Sequence, residues 1–389
     1  LSGALPHVVV ISDESQLERW IDQWDDLADH AERPYMTPAW TLAWWRHLRP
    51  SDGVLKLVLV VEGETLIGVT PLYVQPTRRP FVYRMLGLPY DAPKQPLARE
   101  GDEEIVAVKT AEALTAEDPR ADGLELPGLP RDALWRRLLQ GSDPGAHVYE
   151  AAERSVPVVP LDGDGFDAWF GSKSRNFRQQ MRRARRRLEE SGGIVAQAAT
   201  AEEMAERIPG LIELHESRWQ ERGGSAVVRP GLTEMLRDAT SQLGVPGRAR
   251  MWFAEAEGRM VSAHLVVACG GRSSYWLGGF DDDFAAFHPG MLCLLAEIEY
   301  ACEIGQHLVD LGAGDHAYKL RLASGDEWIS RPTFVFKGPG YARRRLMTTP
   351  GELTAMLASR TPASWKRAIR RRGGRGAAPS RDERSPTER

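Results

Sequence analysis

Arg250–Gly270 reads RMWFAEAEGRMVSAHLVVACG. Two apolar, β-rich runs meet at Glu257-Gly258, where a tight turn is favoured, so the stretch is expected to form a β-hairpin. The same design stands earlier, at Leu55–Val74, LKLVLVVEGETLIGVTPLYV, with Glu62-Gly63 at the turn. Working outward, each hairpin is followed by a strand carrying Leu-Gly, VYRMLGL at 82–88 and SSYWLGGF at 273–280. Each continues into a helical stretch and a short strand, DGLELPGL around Leu124 and HLVDLGAG around Asp310. A hairpin that occurs twice means little, but the ordered series hairpin, strand, helix, strand points to duplication. Helical stretches also precede each series: residues 14–30 and PAWTLAWWRHL in the first half, EEMAERIPGLIELHESRWQERG and PGLTEMLRDATSQLG in the second. The expected fold is therefore α/β (α+β), in two related halves.

A chain of 389 residues suits two cores, and 42% hydrophobic with 27% charged residues is the composition of a packed protein, neither disordered nor fibrous. The crossover AAERSVPVVPLDGDG sets the boundary near Ser155, giving units at 1–155 and 156–340 and a tail at 341–389. No apolar run approaches the roughly 20 residues that span a bilayer, so no stable membrane insertion is expected. The N-terminal LSGALPHVVVISDESQ lacks the basic start and apolar core of an export signal. Cys269, Cys293 and Cys302 fit neither a disulfide framework nor a zinc site, and are expected as buried thiols in a reducing cytosol, with no metal. The net charge of −4 hides an asymmetry: from Tyr341 onward 13 Arg/Lys face 4 Asp/Glu. That tail is expected to be largely disordered and solvated; its basic SWKRAIRRR is the feature by which a cytoplasmic protein would lie against an anionic inner-membrane surface.

Four pieces carry a family resemblance: SKSRNFRQQMRRARRRLEESGG from Ser172, LHESRWQERG from Leu214, WLGGFDDDFAAFHPGMLCLLAEI from Trp276 and VDLGAGDHAYKLRLASG from Val309. In this order they resemble the CelD/BcsL-like acetyltransferase group of GNAT-type domains, and the two-half plan resembles the Fem-type peptidyltransferases. The resemblance implies two tandem GNAT-like domains, each with a central mixed sheet flanked by helices. It also implies an acyl-CoA-type thioester donor, acetyl-CoA among them, and an amine acceptor; the expected partner is a small-molecule amine or sugar. The Fem-type plan implies aminoacyl-tRNA as the rival donor. One departure stands out: the phosphate loop of common GNAT enzymes is Gln/Arg-x-x-Gly-x-Gly/Ala, and FAAFHPGML supplies only Gly290.

Acyl transfer to an amine needs a deprotonated nucleophile, a polarised carbonyl and a proton for the leaving group. The start of the helix MLCLLAEIEYACEIG offers unpaired N–H groups and the positive end of a dipole, which makes His288, Pro289, Gly290, Met291 and Leu292 the cofactor-loop candidates. His264 is a candidate base, placed by alternation on one strand face with Ser262 and Val266. Asp310 sits in an apolar strand and needs a partner, His264, Lys319 or a substrate ammonium. Tyr318, opening a short helix after GAGDH, is the candidate acid that the resemblance places beside the departing sulfur. Lys319 is a candidate for Asp310 or a substrate anion. His215, Arg218 and Trp219 share one helix face and are candidates for a cleft lining. Lys173–Arg187 holds eight cations in fifteen residues and no acid, with Phe177, Met181, Ala184 and Leu188 marking the apolar face. Its Arg178 and Arg182 are candidates for phosphate. The first half, whose helix-start loop is LPYDAPKQPLARE, is expected to be a degenerate domain that shapes the acceptor cleft. A catalytically inactive binding module is the reading outside the enzyme class.

Overall fold

A computed structural model of the chain describes residues 4–78, 81–87, 92–116, 121–142, 147–150, 153–161, 163, 165–220, 224–225, 227–245, 247–337 and 341–342. The basic tail, apart from its first two residues, and part of the LPYDAPKQPLARE loop lie outside the described residues. No described helix is long and apolar enough to cross a membrane.

The strands are β1 (His7–Ile11), β2 (Val54–Glu62), β3 (Thr65–Val74), β4 (Val82–Met85), β5 (Leu97–Ala98), β6 (Gly123–Glu125), β7 (Leu129–Pro130), β8 (His147–Glu150), β9 (Arg154–Pro160), β10 (Ile194–Gln197), β11 (Ala249–Ala256), β12 (Arg259–Cys269), β13 (Arg272–Phe280), β14 (Leu308–Asp310), β15 (Gly325–Ser330) and β16 (Pro332–Val335). They form two mixed sheets, β1-β2-β3-β4-β6-β16-β8 with β5 beside β3, and β10-β11-β12-β13-β14-β9-β15-β7. In each, three antiparallel steps lead to one parallel pair, β4 with β6 and β13 with β14.

The two hairpins match more closely than their sequences suggest, and one residue out of step with the Glu-Gly alignment. Their closing pairs are Glu62↔Thr65 and Ala256↔Arg259, so Gly63 occupies the place of Glu257. Both then skip one residue at the same distance from the turn: Val61↔Leu66 gives way to Val60↔Gly68, and Glu255↔Met260 to Ala254↔Ser262. A shared β-bulge re-aims every residue beyond it in the same way. It makes Thr70 the counterpart of His264.

The halves are not laid side by side. The segment expected as a crossover contains strand β9, which enters the second sheet between β14 and β15, while β16 returns to the first sheet between β6 and β8. β7 pairs with β15. One hydrophobic cluster runs through both halves, and Trp40 of the first meets Trp276 of the second at 5.4 Å between ring centroids. Gly279 lets strand and helix touch: a Cβ there would lie 2.4 Å from the backbone of Leu214.

The arginine helix spans Arg175–Glu190, capped by Ser174, whose Oγ accepts from the Phe177 N–H at 3.2 Å. Phe177, Met181, Ala184 and Leu188 are all buried, as its periodicity requires. Cys269 and Cys293 are buried, but Cys302 is only half-buried.

Phe334 on β16 is fully buried within the first sheet although it lies near the end of the described chain. Phe334→Ala is expected to destabilise the protein by about 3–5 kcal/mol. Urea unfolding followed by tryptophan fluorescence would measure this, and because the core is continuous a single transition should move to lower urea.

Candidate active site

β13 and β14 pair only through Arg272↔Leu308, Ser273↔Val309 and Ser274↔Asp310. Beyond Ser274, β13 runs on to Phe280 with no strand on that side among the described residues, and the sheet opens. In the opening lies a cavity of about 260 Å³. Its walls come from β12 (His264), β13 (Tyr275, Phe280), the start of the Pro289–Glu303 helix and the short Ala317–Leu322 helix (Tyr318, Arg321), with Arg218 from the last turn of the Ala201–Gln220 helix.

His264 is 5% exposed, and its ring meets that of Tyr275 edge-on at 5.1 Å. Its Nδ1 is buried with neither donor nor acceptor among the described residues. Nε2 lies on the side of Gly290, 3.3 Å from where a Cβ there would stand. A side chain at Gly278 would strike the same ring and the Tyr275 hydroxyl, so the first glycine of WLGGF clears the cavity floor. Burial, helped by the charge of Arg218, brings the His264 imidazole down to about 3. It is therefore neutral at physiological pH, which favours a hydrogen-bonding role over the base expected of it. Tyr275 and Tyr318 both line the cavity and influence each other's hydroxyl; burial, the largest cause, raises both, so both keep their protons.

The helix start is less open to an anion than expected. The Met291 and Leu292 N–H groups donate to the His288 carbonyl at 3.0 and 3.1 Å, and Pro289 has none. Gly290 is left with the first-turn N–H that has no backbone acceptor among the described residues. His288 takes the left-handed conformation at φ +49°, and Gln180 links it to the cavity mouth. The Gln180 amide donates to His288 Nε2 at 3.0 Å while its oxygen accepts from Arg321.

Other expected site residues are engaged elsewhere. Asp310 sits at the closed end of the opening, 1% exposed, paired with Arg272 at 2.8 Å and accepting from the Gly312 N–H at 2.7 Å. It does not line the cavity. Arg272 also forks onto Glu327 at 2.8 and 2.9 Å; burial opposes its charge, and Asp310 and Glu327 more than offset that, raising it. Lys319 donates to the Gly312 and Ala313 carbonyls at 2.9 Å, pinning the turn that carries Tyr318. Burial lowers it to about 8 against the pull of Asp310. His215 uses both ring nitrogens, Nδ1 on the Gly278 carbonyl (3.0 Å) and Nε2 on the Ser225 hydroxyl (2.9 Å), and burial lowers it. Trp219 lies tilted against the His215 ring, 6.0 Å between centroids, outside the cavity lining. Arg178 is half-buried and Arg182 exposed, the latter over the Phe170 ring; neither lines the cavity. Of the proposed set, the structure brings together His264, His288, Pro289, Gly290, Met291, Arg218 and Tyr318, and leaves Leu292 buried behind the helix start. Sequence reasoning missed Tyr275 and Arg321. Arg321 follows Tyr318 by three residues, a helical spacing that signals a shared face.

The first half keeps the hairpin but closes the site. Thr70, in the place of His264, is fully buried and hydrogen-bonds Thr110 on the Glu103–Ala116 helix at 3.2 Å. Val106 of that helix packs so closely that a Cβ on Gly68 would lie 2.4 Å from it. That helix begins Glu103-Glu104, which repels the anion that a helix start otherwise attracts.

Residues 175–320 match the family model of an acetyltransferase (GNAT) domain. No curated protein sequence matches the chain. Among solved structures the fold is similar to that of FemX, at 12% identity over 87% of this chain and 99% of that one, with a TM-score of 0.60. It is also similar to the C-terminal domain of a putative lysylphosphatidylglycerol synthetase from Agrobacterium fabrum (12% identity, 85% and 95% covered, TM-score 0.52). A third is L-PGS from Bacillus licheniformis (12% identity, 88% and 97% covered, TM-score 0.50).

The state of His264 sets a pH dependence. The folded protein resists protonating a group that the unfolded chain protonates near its ordinary value of 6.5, so this contribution is intact above that pH and declines as pH falls from 6.5 towards about 3. His264→Leu should remove this part of the acid sensitivity, making the loss of stability between pH 7 and pH 5 smaller than in the parent by about 2 kcal/mol. Urea titrations at the two pH values give the comparison.

Proposed function

We propose that the protein is an N-acyltransferase that moves an acyl group from an acyl-CoA-type thioester to an amine by direct attack within the opening between β13 and β14. The observation that carries this reading is the meeting, in one small cavity, of a helix start with a free N–H at Gly290, an orphaned neutral His264 and the Tyr275–Tyr318 hydroxyl pair. The finer placement, in the CelD/BcsL-like group, rests on the four sequence pieces quoted above.

An acyl-CoA, as substrate, brings the activated carbonyl and a phosphate-bearing tail. The Gly290 N–H, the dipole of the Pro289–Glu303 helix and the Arg321 guanidinium would hold one phosphate at the mouth. This is a narrower cradle than a full phosphate loop. Inside, His264 Nε2 orients the attacking amine by accepting an N–H. The paired tyrosines face the carbonyl carbon's substituents: one hydroxyl hydrogen-bonds the developing oxyanion, and the pair relays the proton lost by nitrogen to the departing sulfur. Nitrogen thereby gains the acyl carbon, and sulfur leaves as the thiol. The closed first half would shape the acceptor side without binding donor.

A second reading, an aminoacyl-tRNA donor, is favoured by the single free N–H at the helix start and by the arginine helix, which Gln180 ties to the same mouth. Arg178 and Arg182 would then meet backbone phosphates.

Turnover of a panel of acyl-CoAs with amine acceptors, followed by free-thiol release, is expected for the first reading. Tyr318→Phe should lower kcat about 100-fold with KM little changed. No thiol release from any acyl-CoA by the folded protein, with ribonuclease-sensitive transfer in extract, would move the assignment to the second reading.

A further inference from the structure

The charges around the cavity are one-sided. Among the described residues its lining includes Arg218 and Arg321 and no aspartate or glutamate. The two fully buried guanidinium groups each have a carboxylate, Arg250 with Glu297 at 2.6 Å and Arg272 with Asp310 at 2.8 Å. Arg218 is half-buried on the last helical turn, its guanidinium 4.5 Å above the Phe280 ring, with no ion-pair partner among the described residues.

The two arginines face different parts of a ligand. Arg321 stands at the exposed mouth, bonded to Gln180 beside the helix start. Arg218 lines the cavity from a different helix, and its charge is felt at His264, Tyr275 and Tyr318, the groups around the reacting carbonyl. A guanidinium drawn against an aromatic face and denied a carboxylate by its own protein favours a planar, bidentate anion. We infer that the fragment bound beside Arg218 and His264 carries a carboxylate. This rests on the acyl-transfer reading for the identity of the cavity, and it adds the chemical class of what enters it. The carboxylate belongs either to the accepting amine, as in an amino acid, or to the transferred acyl group, as in a half-acid of a dicarboxylic acid.

Product-like amides separate the two sources, and calorimetry on the full chain needs no turnover. The first pair is N-acetylglycine against N-acetylglycinamide, with the carboxylate on the amine side. The second is N-methylsuccinamate against N-methylsuccinamide, with it on the acyl side. In one pair the carboxylate is expected to bind at least about tenfold more tightly than its neutral partner. Arg218→Gln should abolish that preference while leaving the neutral amide's affinity unchanged, which also reports that the cavity is intact; Arg218→Lys should keep part of it. The pair that shows the preference names the source. Equal binding within both pairs, no measurable binding of either carboxylate, or a preference that survives Arg218→Gln would overturn the inference. So would Arg218→Gln weakening inorganic phosphate instead of the carboxylate. A carboxylate preference without thiol release from any acyl-CoA would leave this site standing while the donor assignment falls.

Discussion

The parting of β13 from β14 is the constraint on which the site depends, and a buried charge cluster marks where it begins. Asp310 takes Arg272, the Ser274 hydroxyl and the Gly312 N–H, and Arg272 in turn forks onto Glu327 of β15. Each charge is compensated, so the cluster is tolerated at 1% and 3% exposure; removing one partner would strand the other in the interior. The cluster holds three strands together at the closed end, and past it the sheet opens. It also faces the first half: burial, and then the charge of Arg272, lower Arg33, and the Tyr35 hydroxyl donates to the Ser274 carbonyl at 3.4 Å.

A second buried cluster holds the other wall. Glu297, in the middle of the Pro289–Glu303 helix, accepts from Arg250 and from the Trp252 indole at 2.6 Å, and Arg250 also reaches Ser273. The helix is thereby fastened to β11 and β13 at mid-length, which leaves its first turn, with Gly290, projecting over His264. The position of the helix start is a consequence of polar contacts two turns away from it.

Set against this, the first half shows how the same bulged hairpin loses a site. The difference lies in three substitutions of character: Thr70 where the second half has His264, Val106 packed onto Gly68, and acids where an anion-binding helix start would be. Because β7 of the first half lies in the second sheet and β16 of the second half in the first, this half cannot be discarded. It supplies packing that the second half needs, and it receives a strand in return.

What the sequence determined by itself was local. Alternation and turn composition mark both hairpins, the period of Phe177, Met181, Ala184 and Leu188 gives the arginine helix and its buried face, and the Leu-Gly strands and the helix after Pro289 follow from their punctuation. These signals are legible because they arise from neighbours within a few residues. The tertiary structure alone decided the rest. The exchange of β7 and β16, the one-residue offset between hairpins, the commitment of Asp310 to Arg272 and of His215 to Gly278, and the arrival of Tyr275 and Arg321 at the cavity all join residues far apart in the chain. A strand's alternation tells which residues share a face. Only packing of the other elements decides whether that face meets a partner, as for Asp310, or an opening, as for His264.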